Sequence, residues 1–173
     1  ALMLGGIANG YTHIKGFLSG KDCLSTLTSM EALGVKIDMP TETEMLIQGV
    51  GLYGLSDPKL DLDLGNSGTA MRLIAGLLAG QNFSTRLIGD ESLSGRPMGR
   101  IIKPLSKMGA KISSDINETP PLHCLGNSKL HAIHYDLPIA SAQVKSSILL
   151  AGLYAEGTTT LIEPEVTRDH TER

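Results

Sequence analysis

Four short stretches set a cation or a hydroxyl beside a turn: "GNSGTAMR" at 65–72, "GRPMGRI" at 95–101, "ASAQVKSS" at 140–147 and "TRDHTER" at 167–173. In the first, Asn66, Ser67 and Thr69 suit the capping of free backbone N–H groups, so a helix is predicted to begin between Ser67 and Thr69 and to run to Ala79. Arg72 then lies in the first turn, where the helix dipole disfavours a cation by ~0.3–1 kcal/mol. Something anionic should offset this, either a structural ion pair with Asp61 or Asp63 in the preceding "LDLDLG" or a bound anion such as phosphate. In the second stretch Pro97 suits the first position of a helix. That sets Arg96 at the helix mouth, free to grip an anion bidentately or to cap a neighbouring carbonyl. In the third, Ser141 offers a hydroxyl in a turn with free N–H groups, and Gln143 and Lys145 follow on the next turn; read alone, Ser141 is equally an ordinary N-cap. In the fourth, Thr167 and Arg168 follow a strand and open another helix, a place for phosphate or simply a solvated charged end.

The rest of the composition removes other chemistries. A 173-residue chain that is 41% hydrophobic can bury a core. A net charge of −3, scattered Lys and Arg and 3% aromatic residues supply neither a basic stripe nor a stacking surface, so nucleic acid is not an expected partner. Cys23 and Cys124 lie far apart with no ligand-spaced neighbour, which argues against a disulfide or a zinc site and for reduced thiols. The histidines form no H-E-x-x-H pattern, and His131 and His134 share a strand-like segment where their spacing points them to opposite faces, so they read as surface or structural residues. No apolar run approaches the ~20 residues of a membrane span, and no signal segment is legible, so a soluble, cytoplasmic protein is expected. The chain starts in the middle of an apolar helical pattern, "ALMLGGIANG", and stops about one turn into another, so both ends read as cut.

The elements that must position these residues repeat. Apolar helical patterns ending in small residues, at 2–8, 70–79 and 144–155, each precede a short strand: "YTHIKGF", "FSTRLIG" and "TTTLIEP". A second helix follows, ending in "ALGVKI" in the first copy and "KMGAKI" in the second, roughly 75 residues apart. Gly34 and Gly109 suit the left-handed position that closes a helix. Cys23, Leu24, Leu27 and Met30 make one helical stripe, and Met98, Ile101, Ile102, Leu105 and Met108 another, so each second helix is predicted to lay one face on a sheet. By contrast, Leu73, Ile74, Ala75, Leu77, Leu78 and Ala79 leave almost no polar face, the mark of a helix buried all round. "EMLIQGV" with "DLDLG", and "PLHCL" with "LHAIHYDL", close the two units. The predicted fold class is therefore α/β: αβαββ units repeated around buried parallel helices, over about 1–66 and 67–140, with a third begun over about 141–173. Such packing brings the N-termini of the inner helices to one rim, where the four stretches are predicted to form a shared anion-binding mouth, a buried ion pair being the alternative for Arg72.

Taken in order and spacing, Gly65-Asn66-Ser67-Gly68-Thr69, Arg96-Pro97-Met98, Met108-Gly109-Ala110 and Ser141-Ala142-Gln143-Val144-Lys145-Ser146 resemble the 5-enolpyruvylshikimate-3-phosphate synthases, or 3-phosphoshikimate 1-carboxyvinyltransferases. "SAQVKS" and "TRDHTE" are similar to the bacterial class II branch. The resemblance implies an inside-out α/β barrel, with this chain as most of the N-terminal of two domains that close on phosphoenolpyruvate and shikimate 3-phosphate. It implies that Ser141, the Ala142 backbone, Thr167 and Arg168 hold the phosphate of shikimate 3-phosphate and that Gln143 lies along its ring and contributes to both substrate sites. It further implies that Gly68 and Arg96 meet phosphoenolpyruvate, or the competing inhibitor glyphosate, while Asn66, Thr69, Arg72 and Lys145 support the site. No metal or organic cofactor is implied, and the parent enzyme is expected to be a monomer in the shikimate pathway of aromatic amino-acid biosynthesis. A Lys-Ser-x-x-x-Arg motif is expected upstream of Ala1 and the acid–base residues on the other domain, so this chain alone is expected to be inactive. Two other readings stay open: a UDP-N-acetylglucosamine enolpyruvyl transferase, which shares fold and chemistry but whose acid-catalyst cysteine loop has no counterpart here, and a non-catalytic anion-binding module.

Overall fold

The computed structural model describes residues 1–126 and 129–173. The first unit comprises α1 (Leu2–Ile7), β1 (Asn9–Lys15), α2 (Lys21–Ala32), β2 (Lys36–Thr41) and β3 (Glu44–Val50). Then come β4 (Leu62–Asp63), α3 (Gly68–Leu78), β5 (Thr85–Ile88), α4 (Glu91–Ser94), α5 (Gly99–Lys107), β6 (Lys111–Ser114) and β7 (Leu122–Leu125). A third group holds β8 (His134–Asp136), α6 (Ala142–Gly152) and β9 (Thr160–Ile162).

Strand pairing makes the repeat explicit. The order β1-β3-β2, antiparallel throughout, is reproduced as β5-β7-β6 in the second sheet. The short β4 adds to that sheet parallel to β5, and β8 pairs parallel to β9 in the same way. Helices α3 and α6 are thus each the crossover of a βαβ element, the connection that parallel neighbours require. Pairing therefore differs from the sequence reading at "DLDLG" and "LHAIHYDL": these strands join the sheet of the unit that follows. Periodicity identifies a strand but not the sheet that a two- or three-residue strand will join.

The outer helices close alike. Gly34 (φ +92°) and Gly109 (φ +97°) take the left-handed conformation. The next amide then reaches back five residues, from Val35 to the Met30 carbonyl and from Ala110 to the Leu105 carbonyl, each at 3.0 Å, as in a Schellman closure. On α5 the stripe Met98, Ile101, Leu105 and Met108 is fully buried, with Ile102 partly so. The α2 stripe is narrower than its periodicity. Leu27 and Met30 are buried, but Cys23 is half-buried and Leu24 is 39% exposed, because the first turn borders an open groove with Gly65 and Asn66 instead of lying on the sheet. Cys124 is buried, and burial pushes its thiol up to about 12, so it stays protonated and inert. His131 and His134 are both exposed.

The inner helix α3 is buried beyond its first turn, apart from the partly exposed Leu73, as its composition requires. It lies against α6 at backbone distance: a Cβ built on Gly76 would stand 2.1 Å from the Ser147 carbonyl oxygen. Contacts from Thr69 to Gln143 and from Gly76 to Ser147 advance in the same direction along both helices, so α3 and α6 run parallel with their N-termini together.

Candidate functional site

Both inner helices begin on a serine whose hydroxyl oxygen satisfies an amide left free at the helix start. Ser67 accepts from Ala70 N–H at 3.2 Å, and Ser141 from Val144 N–H at 3.4 Å. From the first turn of α6, Gln143 reaches across to α3. Its amide nitrogen donates to the Thr69 hydroxyl at 2.8 Å, and its carbonyl oxygen accepts from Arg72 at 2.7 Å. Arg72 also donates to the carbonyls of Gly68 at 3.3 Å and Pro97 at 3.1 Å. One guanidinium therefore ties the mouth of α3 to α6 and to the turn before α5.

Neither carboxylate considered from the sequence pairs with Arg72. Asp61 is taken by Arg86 at 2.6 Å, and the Asp63 carboxylate accepts from Gly65 N–H at 2.9 Å. Arg72 is half-buried, and its proton is held less tightly than usual because of that burial and the nearby charges of Arg96 and Arg100. Among the described residues, no carboxylate lies within ion-pair distance of Arg72, Arg96 or Arg100. Gathering like charges at a positive helix end is unfavourable unless an anion shares the space.

Gly68 is what admits the cations. A Cβ there would lie 2.9 Å from an Arg72 guanidinium nitrogen and 3.2 Å from one of Arg96. Asn66 shapes this turn through its carbonyl, which accepts from Gly68 N–H at 3.1 Å. Arg96 is not at a helix mouth, however. Asp90 caps the short α4 by accepting from Leu93 N–H at 2.8 Å, Gly95 ends it, and α5 starts only at Gly99. Arg96 and Pro97 thus occupy the intervening turn, fixed by Met98 N–H donating to the Glu118 carbonyl at 2.7 Å, and the Arg96 side chain donates to Ser92 Oγ at 3.3 Å. The proline pattern missed that second, shorter helix.

The segment 163–173 crosses the start of α6. Arg168 lines a cavity of about 150 Å³ with Thr69, Ala142, Gln143, Ser146 and His170. It is exposed and makes no side-chain hydrogen bond or ion pair among the described residues. No helix opens at Thr167; the backbone makes one turn, closed by Arg173 N–H to the Asp169 carbonyl at 3.1 Å. The Thr167 hydroxyl donates to Glu163.

Lys145 does not join Gln143 on the rim. It is 5% exposed and bonded to Glu163 at 2.7 Å and Glu172 at 2.6 Å. The sequence reading did not single out Glu163, Glu172 or His170. One available signal was a lysine on a helix that repeats the place of the buried 70–79 helix, since a buried ammonium demands carboxylate partners.

Burial alone would lower the Lys145 pKa, but its bonds to both glutamates raise it above the ordinary 10.5; Lys145 and Thr167 hold Glu163 below the ordinary 4.5. The Glu163 contribution to stability is thus complete above the unfolded value and lost as pH falls through the lower folded one; that of Lys145 is complete below 10.5 and lost as pH rises through the higher folded value. The Tm difference between the wild-type chain and Glu163→Gln is expected to hold steady between about pH 6 and 9 and to vanish in acid. A difference unchanged down to about pH 2 would remove Glu163 from the network.

A repeated βαβ scaffold that gathers two helix N-termini, three arginines and a crossing segment at one rim defines an α/β domain with a cation-rich edge. The chain matches the EPSP synthase (3-phosphoshikimate 1-carboxyvinyltransferase) family over residues 1–173, and it belongs to that family. It is 59% identical over all its 173 residues to the 3-phosphoshikimate 1-carboxyvinyltransferase of Alkalilimnicola ehrlichii, covering 39% of that protein. It is 58% identical to that of Hydrogenovibrio crunogenus, with all of this chain and 39% of that protein covered. An EPSP synthase structure from Acinetobacter baumannii matches with a TM-score of 0.97 at 54% identity, covering 99% of this chain and 39% of that one. The chain thus spans about two fifths of the length of these relatives. The expected family and α/β fold are borne out.

Proposed function

We propose that this chain supplies mainly the shikimate 3-phosphate side of a 3-phosphoshikimate 1-carboxyvinyltransferase, which transfers the enolpyruvyl group of phosphoenolpyruvate and releases phosphate. The observation that carries this reading is the junction of Gly68, Arg72, Arg96 and Gln143, where cations that have no carboxylate partner among the described residues meet two helix N-termini. In the reaction, the methylene carbon of phosphoenolpyruvate takes a proton from a general acid, and the ring hydroxyl oxygen adds to its neighbouring carbon while giving up its own proton to a general base, giving a tetrahedral adduct. Loss of phosphate and of a proton from the new methyl group restores the double bond.

Arg168, the Ser141 hydroxyl, Thr167 and the Ala142 amide hold the substrate phosphate, with Gln143 along the ring. Gly68, Arg96 and Gln143 receive phosphoenolpyruvate. Arg72 positions Gln143 through their 2.7 Å bond, and Asn66 and Thr69 shape the turn. These groups bind and orient two anions; no metal or organic cofactor enters this scheme. The acid–base groups and the remaining binding surface come from a second domain of a monomeric, cytoplasmic enzyme. Among the described residues, no helix is long and apolar enough to cross a membrane.

The test is titration of the purified chain with shikimate 3-phosphate, followed by calorimetry or chemical shifts. Weak binding, with no phosphate released from added phosphoenolpyruvate, is expected, because catalysis needs the reacting atoms and acid–base groups held in a closed, dry cleft. Absence of binding would overturn the substrate assignment, and turnover by the chain alone would overturn the division between domains.

In the full-length enzyme, Gly68→Ala is expected to raise the KM for phosphoenolpyruvate and to reduce inhibition by glyphosate. The added methyl would stand 2.9 Å from an Arg72 guanidinium nitrogen and 3.2 Å from one of Arg96, so these side chains must shift. Steady-state kinetics that left both quantities unchanged would move this turn away from either anion.

A further inference from the structure

Within residues 1–173, the segment carrying Thr167 and Arg168 is held by a small set of contacts. In this chain none of residues 163–173 is buried, and Val166, the apolar side chain nearest to Thr167, is 98% exposed. Among the described residues, no main-chain hydrogen bond joins 163–173 to the rest of the chain. What does join it is a set of side-chain links to two consecutive residues of α6. Lys145 pairs with Glu163 and Glu172, and the Ser146 and Thr171 hydroxyls meet at 2.7 Å. Glu163 and Glu172 bracket the site-bearing stretch, so a single ammonium closes it into a loop over the start of α6. Glu163 also accepts from the Thr167 hydroxyl, which relays the clamp to a residue at the phosphate end.

We infer that Lys145 is a positioning residue, whose paired bonds to Glu163 and Glu172 clamp the 163–172 segment onto α6 and so set Thr167 and Arg168 against Ala142 and Gln143. The geometry is economical because the helix that supplies Ser141, Ala142 and Gln143 also supplies the clamp, so both halves of the phosphate end share one rigid body. Without the ammonium, the Glu163 and Glu172 carboxylates are left facing each other and repel, and among the described residues the Ser146–Thr171 hydroxyl contact is the side-chain hydrogen bond left to tie the segment to α6. The α3 side is independent of the clamp. Gly68, Arg96 and Arg72 are fixed by contacts with Pro97, Ser92 and Gln143. Loss of the clamp should therefore separate the two substrates, a signature that general destabilisation does not give.

The inference rests on the substrate assignment above, and the test keeps the two apart. On the chain itself, backbone order parameters of residues 166–172 are measured in wild type, Lys145→Met and Glu172→Gln. The last variant alters a side chain that is 36% exposed, so it keeps the test available if Lys145→Met does not fold. Order parameters should drop from about 0.8 to below about 0.6 in this segment, with α6 unchanged. In the full-length enzyme, the KM for shikimate 3-phosphate should rise about tenfold or more for Lys145→Met and about threefold for Glu172→Gln, while that for phosphoenolpyruvate stays within about twofold. A segment that stays ordered in both variants would overturn the clamp. So would an equal rise in both Michaelis constants. If wild type bound no shikimate 3-phosphate while the segment still loosened, the clamp would stand and the substrate assignment would fall.

Discussion

Gly76→Ala is expected to destabilise the chain by ~3 kcal/mol or more, the upper end of what overpacking costs. A Cβ at this position would stand 2.1 Å from the Ser147 carbonyl oxygen, 2.8 Å from its carbon and 3.0 Å from its Cα. All three are backbone atoms of a buried helix, so no rotamer change relieves the overlap and α3 and α6 must move apart. Alanine is the better helix former by ~1 kcal/mol, which opposes the effect but is smaller than the cost of opening a packed interface. Separation also pulls Gln143 away from Thr69 and Arg72, so binding of both substrates should weaken together. Denaturant unfolding gives the number. A midpoint equal to wild type would mean that the helices relax around the methyl without loss.

Arg168→Ala should show the opposite pattern, a large loss of binding with an unchanged fold. The side chain is exposed and has no hydrogen-bond or ion-pair partner among the described residues, so truncating it leaves no buried group unsatisfied. In the proposed complex it makes a charge-assisted contact with the phosphate of shikimate 3-phosphate, and its loss should cost ~1.5–3 kcal/mol of binding, or roughly ten- to more than hundred-fold in Kd. Calorimetry on the full-length enzyme, with Tm measured alongside, separates the two effects. Unchanged affinity would assign Arg168 to the solvated surface.

What could be read from the sequence is what is local. Ser67 and Ser141 satisfy amides only three residues ahead, Gly34 and Gly109 close helices with bonds spanning five residues, and the apolar run 73–79 defines its own burial. Order and spacing of four motifs then carried the family. The tertiary structure alone decided which distant groups meet: Arg72 chose Gln143 and Pro97 over the nearby Asp61 and Asp63, and β4 chose the sheet beyond it. Lys145 was legible as a cation beside Gln143, yet it lies buried between Glu163 and Glu172, eighteen and twenty-seven positions away. The difference has one physical source. A cap or a helix closure is satisfied within a turn or two of its own backbone, whereas a guanidinium or ammonium takes whichever acceptor the packed helices bring within 3 Å, and sequence distance does not enter that competition.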